Sequence, residues 1–512
     1  MLFGRQGQGI ASILEDMTSG PLAALERRVR EELTLLDPQS RPWRPAEDDV
    51  LDVLIVGAGQ GGLSIAFALR RLGIANILIV DRSLPGLEGP WRSFARMPTL
   101  RTYKHLTGPD LGIPSLTPRA WFEAVHGAAA FASATRIPTP DWAAYLDWYR
   151  RMTGARVQNG VEVTSLRPDA EGVTVETGQG PFRARHVVLA NGMDGAGAWH
   201  VPPEVAAALP RSAYADTAEP IDPAALAGRR VLVLGAGASA FDAALAAEAA
   251  GAVSVRLLAR RPELRRANPF IWMEQDGFLH FFRSLDDATR WRFARHFHRF
   301  GQPPTEATLE AVAASDTVSV LAGRGVTRWR WNGEIQAELT SGEALAADFL
   351  ILGTGVQWGL PLRPELAAIA PATLLWRDRA PPGEEEPSLA AQPYLGEDFE
   401  LLEREPGALP GLSRIRLFNY AALPSMGLTG SAIAGLRCGV PHLARGIGRD
   451  LFRAEAGAQL RSLEAFLRGE ELPPFDSPAA IAALEAKPRM SRAISASAPA
   501  PSRATIRPIS GE

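Results

Sequence analysis

Two glycine clusters stand where a strand would turn into a helix, and both have the spacing that a pyrophosphate needs. The first reads Gly57-Ala58-Gly59-Gln60-Gly61-Gly62; it follows the apolar run 53–56 and precedes the helical-looking stretch 63–72. The second reads Gly235-Ala236-Gly237-Ala238-Ser239-Ala240, after the run 231–234. In such a turn the first glycine permits the bend and the second lets a phosphate approach the backbone. The third small residue lets helix and strand pack closely, and the helix N-terminus offers its free N–H groups to the anion. The next strand ends differently at the two sites. After 77–80 come Asp81, placed to accept hydrogen bonds from a ribose, and Arg82. After 253–258 come Arg260 and Arg261, suited to a ribose 2′-phosphate. A strand, a helix and the following polar residue make this context more specific than the glycine pattern alone.

The intervening segments read as supports for these turns. Gly89-Pro90-Trp91-Arg92 lies where a ligand held by the first turn would extend, and is expected to fold over it. Short strands are expected at 161–166, 172–177 and 182–190, the last ending on Gly192. A second strand-then-glycine ending, 348–355, finishes on Gly355. An aromatic-rich segment, 262–325, interrupts the rhythm and reads as a helical insert. The turn at Gly427 leads into a helix reaching about residue 451.

At the N-terminal end, Leu22, Leu25, Val29, Leu33 and Leu36 recur every three or four positions behind Pro21, which predicts a helix with one apolar face. The fold class expected is α/β, with two Rossmann-like dinucleotide-binding domains, the NADPH domain inserted in a discontinuous FAD domain. The expected boundaries are 1–49 for an N-terminal helix and linker, 50–198 with 336–470 for the FAD domain, and 199–335 for the NADP domain. Residues 471–512, rich in Pro, Ala and Ser, are expected to be a disordered tail.

Composition narrows the chemistry. A net charge of −3 over 512 residues supplies no bulk attraction for nucleic acid. No uninterrupted apolar stretch is long enough to span a bilayer, and no signal-peptide pattern opens the sequence, so the expectation is a cytoplasmic protein without a membrane span. The one cysteine, Cys438, excludes a disulfide or redox dithiol within the chain. His296 and His298 stand two apart, on different faces of a helix, and no metal is expected. The only lysines are Lys104 and Lys487, which leaves Lys104 alone as a candidate amine in the folded body.

Two dinucleotide turns in one chain imply two cofactors that meet. The sensible pair is FAD at the turn with the acid and NADPH at the turn with the arginines, with hydride passing from the second to the first. On Gly57–Gly62, Gly89-Pro90-Trp91, Gly235–Ala240 and the strand 348–355, the sequence resembles flavoproteins with two dinucleotide-binding domains. Within them it is similar to the flavin-containing and N-hydroxylating monooxygenases, over roughly residues 50–460. The resemblance implies an enzyme in which NADPH reduces FAD and O₂ adds at the flavin C4a position. The hydroperoxide formed then gives one oxygen to an N, S or carbonyl centre of a small molecule.

Under that reading Asn419 and Gly427 line the flavin ring, and Arg266 and Asn268 reach the flavin–nicotinamide junction. The sequence departs from the family at the linker. Where a histidine signature is expected it reads Arg211-Ser-Ala-Tyr-Ala-Asp216, which argues against Baeyer–Villiger chemistry. It also keeps open an NAD(P)H oxidase or reductase that uses an external acceptor. A flavin-binding sensor without enzymatic activity is the third reading.

Overall fold

The computed structural model describes residues 20–36, 43, 49–105, 107–430 and 432–468. The expected tail at 471–512 and most of the linker before residue 49 lie outside them. The chain divides into two compact units, 1–451 and 452–512. The second contributes, among the described residues, the helix Ala456–Leu467.

The first sheet is built from β1 (Leu51–Val56), β2 (Ile77–Asp81), β3 (Val157–Asn159), β4 (Val163–Pro168), β5 (Val173–Thr177) and β6 (Phe182–Leu189). Residues 52–55 of β1 are all buried, so the strand is covered on both faces and reads as a continuous rather than alternating run. The order is β3-β2-β1-β6-β5-β4, with β3, β2, β1 and β6 parallel and β4-β5-β6 an antiparallel meander. The helix Gln60–Arg71 connects β1 to β2. The expected N-terminal helix is Pro21–Leu36. Its Val29 is fully buried against this core, and Leu22, Leu25 and Leu33 are partly buried there.

After β7 (Gly197–Trp199) come β8 (Tyr214–Asp216), β9 (Arg230–Leu234), β10 (Ser254–Ala259) and β11 (Val318–Ala322). The antiparallel strands β12 (Val326–Trp331), β13 (Ile335–Leu339) and β14 (Ala344–Ala347) follow, and then β15 (Phe349–Leu352) and β16 (Val356–Trp358). The second sheet is parallel in the order β11-β10-β9-β15-β8. Finally β17 (Ile415–Leu417) returns to the first sheet, parallel to the end of β6.

The insertion is therefore visible in the strand pairing, but the expected boundary at 335/336 is too early. β13 starts at Ile335 and pairs with β12 and β14, while β15 pairs with β9 and β8. The two crossings between the sheets are β7 outward and β16 back, and they pair antiparallel with each other, Gly197 opposite Trp358. Residues 200–355 thus form the inserted body.

The aromatic insert contributes the helices Pro269–Met273, Asp276–Phe281, Asp287–Phe300 and Glu306–Ala313. Its Met273, Phe278, Trp291 and Phe297 form one buried cluster with Trp358, Trp376, Leu423 and Leu428 from the returning chain. The insert is a cover across the returning segments. Its stretch 318–322 is not helical but is β11, the edge of the second sheet.

Candidate active site

Each glycine turn rests on the end of a neighbouring strand. Gly57 and Gly235 have φ of +106° and +142°. A Cβ on Gly57 would lie 2.6 Å from the Ala190 carbonyl oxygen, and one on Gly235 would overlap that of Gly353. These carbonyls follow β6 and β15, so the strand-then-glycine endings are the walls behind the turns. Gly62 serves packing, since its Cβ would overlap the Gly57 carbonyl. Gly59 is different. It precedes the helix Gln60–Arg71 without a side-chain cap, and a Cβ there would meet nothing within 4 Å. That is the open cradle a pyrophosphate fits.

Both turns open into one cavity of about 990 Å³. Gly57, Gly59, Gly61, Asp81, Arg82 and Trp91 line it from the first sheet; Gly237, Ala238, Ser239, Arg261 and Gly355 line it from the inserted body. Asp81 accepts hydrogen bonds from the backbone N–H of Ala58 (2.7 Å) and Ser83 (2.8 Å), which hold its carboxylate at the end of β2. The Gly-Pro-Trp loop lies on the first turn, with the Cβ position of Gly89 4.0 Å from Gly59 Cα and Trp91 edge-on to Trp142. At the second turn the Ala238 N–H donates to the Gln302 carbonyl (2.9 Å). Arg261 and Arg265 both donate to the Arg299 carbonyl, and Arg265 stacks on Phe300. Burial and the Arg261 charge hold Arg265 below the usual guanidinium range. Gathered cations beside the second turn suit a doubly charged 2′-phosphate.

Several expected site residues have other work. Arg260 is exposed and does not line the cavity; only Arg261 of the pair does. Arg92 is absent from the cavity wall because it is tied to Asp147 (2.6 Å) and the Gly86 carbonyl (2.9 Å). Arg266 is exposed and off the cavity. Asn268 caps the helix Pro269–Met273 by accepting from the Phe270 N–H (3.0 Å). Asn419 is fully buried behind the wall and donates to Asn191 Oδ1 (2.9 Å). Asn191 lines the cavity and in turn donates to Glu365 (3.2 Å), so Asn419 positions rather than touches. Gly427 faces the aromatic cover, its Cβ position 2.9 Å from Phe282, while Leu428 and Gly430 line the cavity in its place. Lys104 donates to the carbonyls of Phe131, Ala132 and Ala134 at the end of a short helix, and that role accounts for it.

Asp216, at the linker position of the missing histidine, is buried at the end of β8 and accepts from the Ala218 N–H (2.7 Å). Burial, reinforced by Glu219, pushes its carboxyl up to about 6. It does not line the cavity, although Thr217 and Ala218 do. Among the described residues no group of three or more His, Cys, Asp or Glu could hold a metal ion, and no helix is long and apolar enough to cross a membrane.

Sequence reasoning missed four cavity residues of consequence. Arg101, from the loop after Trp91, is ion-paired with the buried Asp242 on the helix Ala238–Ala249, and so joins the two bodies beside the second turn. His298 meets Ser388 Oγ (2.7 Å) and Trp358, and burial lowers its pKa toward the neutral imidazole. Glu274, just after the helix Pro269–Met273, is pushed up to about 7 by burial, with Arg136 pulling the other way. No motif or spacing assigns these residues to a cavity; Arg101, Asp242 and His298 are tied there by long-range contacts, and Glu274 arrives with the insert.

A family model described as pyridine nucleotide-disulphide oxidoreductase matches residues 54–277. The FAD-dependent urate hydroxylase of Xanthomonas campestris pv. campestris is 42% identical over 456 residues, which is 87% of this chain and 96% of that protein. The ornithine hydroxylase of Pseudomonas aeruginosa superposes with a TM-score of 0.60 at 18% identity, over 78% of this chain and 100% of that one. The ornithine N-hydroxylase of Kutzneria sp. 744 superposes at 0.61 with 15% identity, over 78% and 99%. These two likenesses bear on the fold, which is that of flavoproteins with two dinucleotide-binding bodies.

Proposed function

The chain belongs to the family of the FAD-dependent urate hydroxylase, and from that premise we propose that it oxygenates urate or a closely similar planar purine. In this reading it is an FAD-dependent monooxygenase acting on a small molecule with O₂, with NADPH as its reductant at the second glycine turn. The observation that carries the reading is the shared cavity: both glycine turns open into the same space of about 990 Å³, so two dinucleotides held there can meet. FAD, when bound, accepts hydride from NADPH and supplies the oxygen chemistry. Every other part belongs to the chain.

In this reading the first turn, with Gly57, Gly59 and Gly61, takes the FAD pyrophosphate on the N-terminus of the helix Gln60–Arg71. Asp81 accepts from the adenosine ribose, and Trp91 covers the dinucleotide. The second turn, with Gly237, Ala238 and Ser239, takes NADPH, and Arg261 pairs with its 2′-phosphate. Phe270, Tyr420 and Trp358 form an aromatic wall, with Phe270 stacked on Tyr420 at 6.4 Å and Tyr420 edge-on to Trp358 at 5.4 Å. Such a wall excludes water and suits a flat heterocycle. Disulfide reduction through an internal cysteine pair is closed to a chain whose single cysteine is Cys438. A cytoplasmic location, where NADPH is supplied, belongs to the same reading.

The test is turnover of the purified yellow holoenzyme with NADPH and urate under isotopically labelled O₂. The expected result is urate consumed in step with NADPH and one labelled oxygen in the product. Stoichiometric hydrogen peroxide with urate unchanged would support an oxidase instead.

A further inference from the structure

Glu274 is a feature of the cavity that neither nucleotide explains. It lies in the aromatic insert, outside both glycine turns, yet it lines the same cavity as Arg101, Phe270 and Leu428. Its Oε2 is buried and has no hydrogen-bond partner among the described residues. A buried polar oxygen without a partner destabilises the fold, so a folded chain keeps one where something else completes it. The local backbone does not satisfy it: the Glu274 N–H closes the helix Pro269–Met273 on the Ile271 carbonyl, and the side chain takes no part. The charge that acts on the carboxyl is Arg136, whose guanidinium donates to the Arg101 carbonyl and lies over the Tyr103 ring at 4.7 Å. Arg136 therefore tempers the carboxyl without pairing with it.

We propose that Glu274 is the substrate-reading residue of this cavity, forming a paired hydrogen bond with an N–H/C=O edge of a planar heterocycle. This rests on the urate reading above and deepens it. An uncharged carboxyl presents one donor and one acceptor side by side, the complement of a cyclic amide edge, and urate carries such edges on both of its rings. The upward shift of the carboxyl supports this form, because near neutral pH a large fraction of it stays protonated. The aromatic wall supplies the stacking surface, and Glu274 supplies the orientation that stacking alone lacks. A simple alkyl amine has a donor but no adjacent acceptor, and gains only half of the pair.

The test compares wild type with Glu274→Gln and Glu274→Ala, all as FAD-loaded holoenzyme. KM and kcat for urate are read together with FAD content and with the rate of flavin reduction by NADPH in the absence of urate. Glutamine reproduces the donor–acceptor pair. E274Q is therefore expected to stay within about threefold of the wild-type KM, and E274A to raise it by about tenfold or more. FAD content and flavin reduction should be unchanged in both. Equal KM values in wild type and E274A would overturn the assignment, and so would equal losses in E274Q and E274A, which would mean that charge rather than pairing is read. If wild type itself reduces its flavin with NADPH but neither binds nor consumes urate, the urate reading falls first, and this assignment falls with it.

Discussion

Gly59 and Gly62 sit three residues apart in one turn and do opposite things. Gly62 is small because the helix must touch the turn: its Cβ would overlap the Gly57 carbonyl oxygen. Gly62→Ala should therefore damage the fold itself, by on the order of 3 kcal/mol, with FAD lost as a consequence; chemical denaturation of the apoprotein measures this. Gly59 is small because the ligand must approach, since nothing in the protein lies within 4 Å of its Cβ position. Gly59→Ala should leave apoprotein stability within about 1 kcal/mol while weakening FAD retention. At the second turn Arg261→Ala should raise KM for NADPH by about tenfold or more and leave that for NADH nearly unchanged, since only NADPH carries the 2′-phosphate. These glycines and Arg261 were legible because their spacing is local. Arg260 was not separable from its neighbour in sequence; both are exposed after β10, and only Arg261 lines the cavity. Asn268 illustrates the opposite error, a residue that sequence position made attractive and that the helix Pro269–Met273 uses as its cap.

At the scale of elements, the parallel strands and the turn helices were readable because they are short, apolar and punctuated by glycine. The boundary after residue 335 was misplaced because β15 owes its position to β9 and β8, strands more than a hundred residues earlier. The insert was legible as helical and aromatic, but not as the lid across the returning chain. Trp291 is the anchor of that lid: it is fully buried, stacked on Trp376 at 5.6 Å, and donates from Nε1 to the Glu384 carbonyl (2.8 Å). Trp291→Ala should cost about 3–5 kcal/mol in denaturant unfolding and should loosen the cavity wall as well. In turnover that would be read as more hydrogen peroxide released per NADPH consumed, with the rate of flavin reduction less affected.

Across the whole molecule, the cavity brings together two carboxyls whose protonated forms burial favours, Glu274 and Asp242. Glu274 is raised from the ordinary 4.5 to about 7. A raised acid contributes its full stability below its unfolded value and loses it as the pH climbs through its folded value. Glu274 therefore becomes a liability between those two limits and remains one above them. Glu274→Gln should accordingly stabilise the protein relative to wild type more at about pH 8 than at about pH 5, an effect that thermal unfolding at the two pH values can read. The doubled architecture gives this cavity its meaning, since two bodies joined by the paired crossings β7 and β16 close on one space.

That closure is best tested by a single experiment. Flavin in the holoenzyme is reduced with one equivalent of NADPH without oxygen, and labelled O₂ is then admitted together with urate. The expected product is a hydroxylated purine carrying one labelled atom for each NADPH oxidised, with little hydrogen peroxide. Full recovery of the electrons as hydrogen peroxide, with urate returned unlabelled, would contradict it.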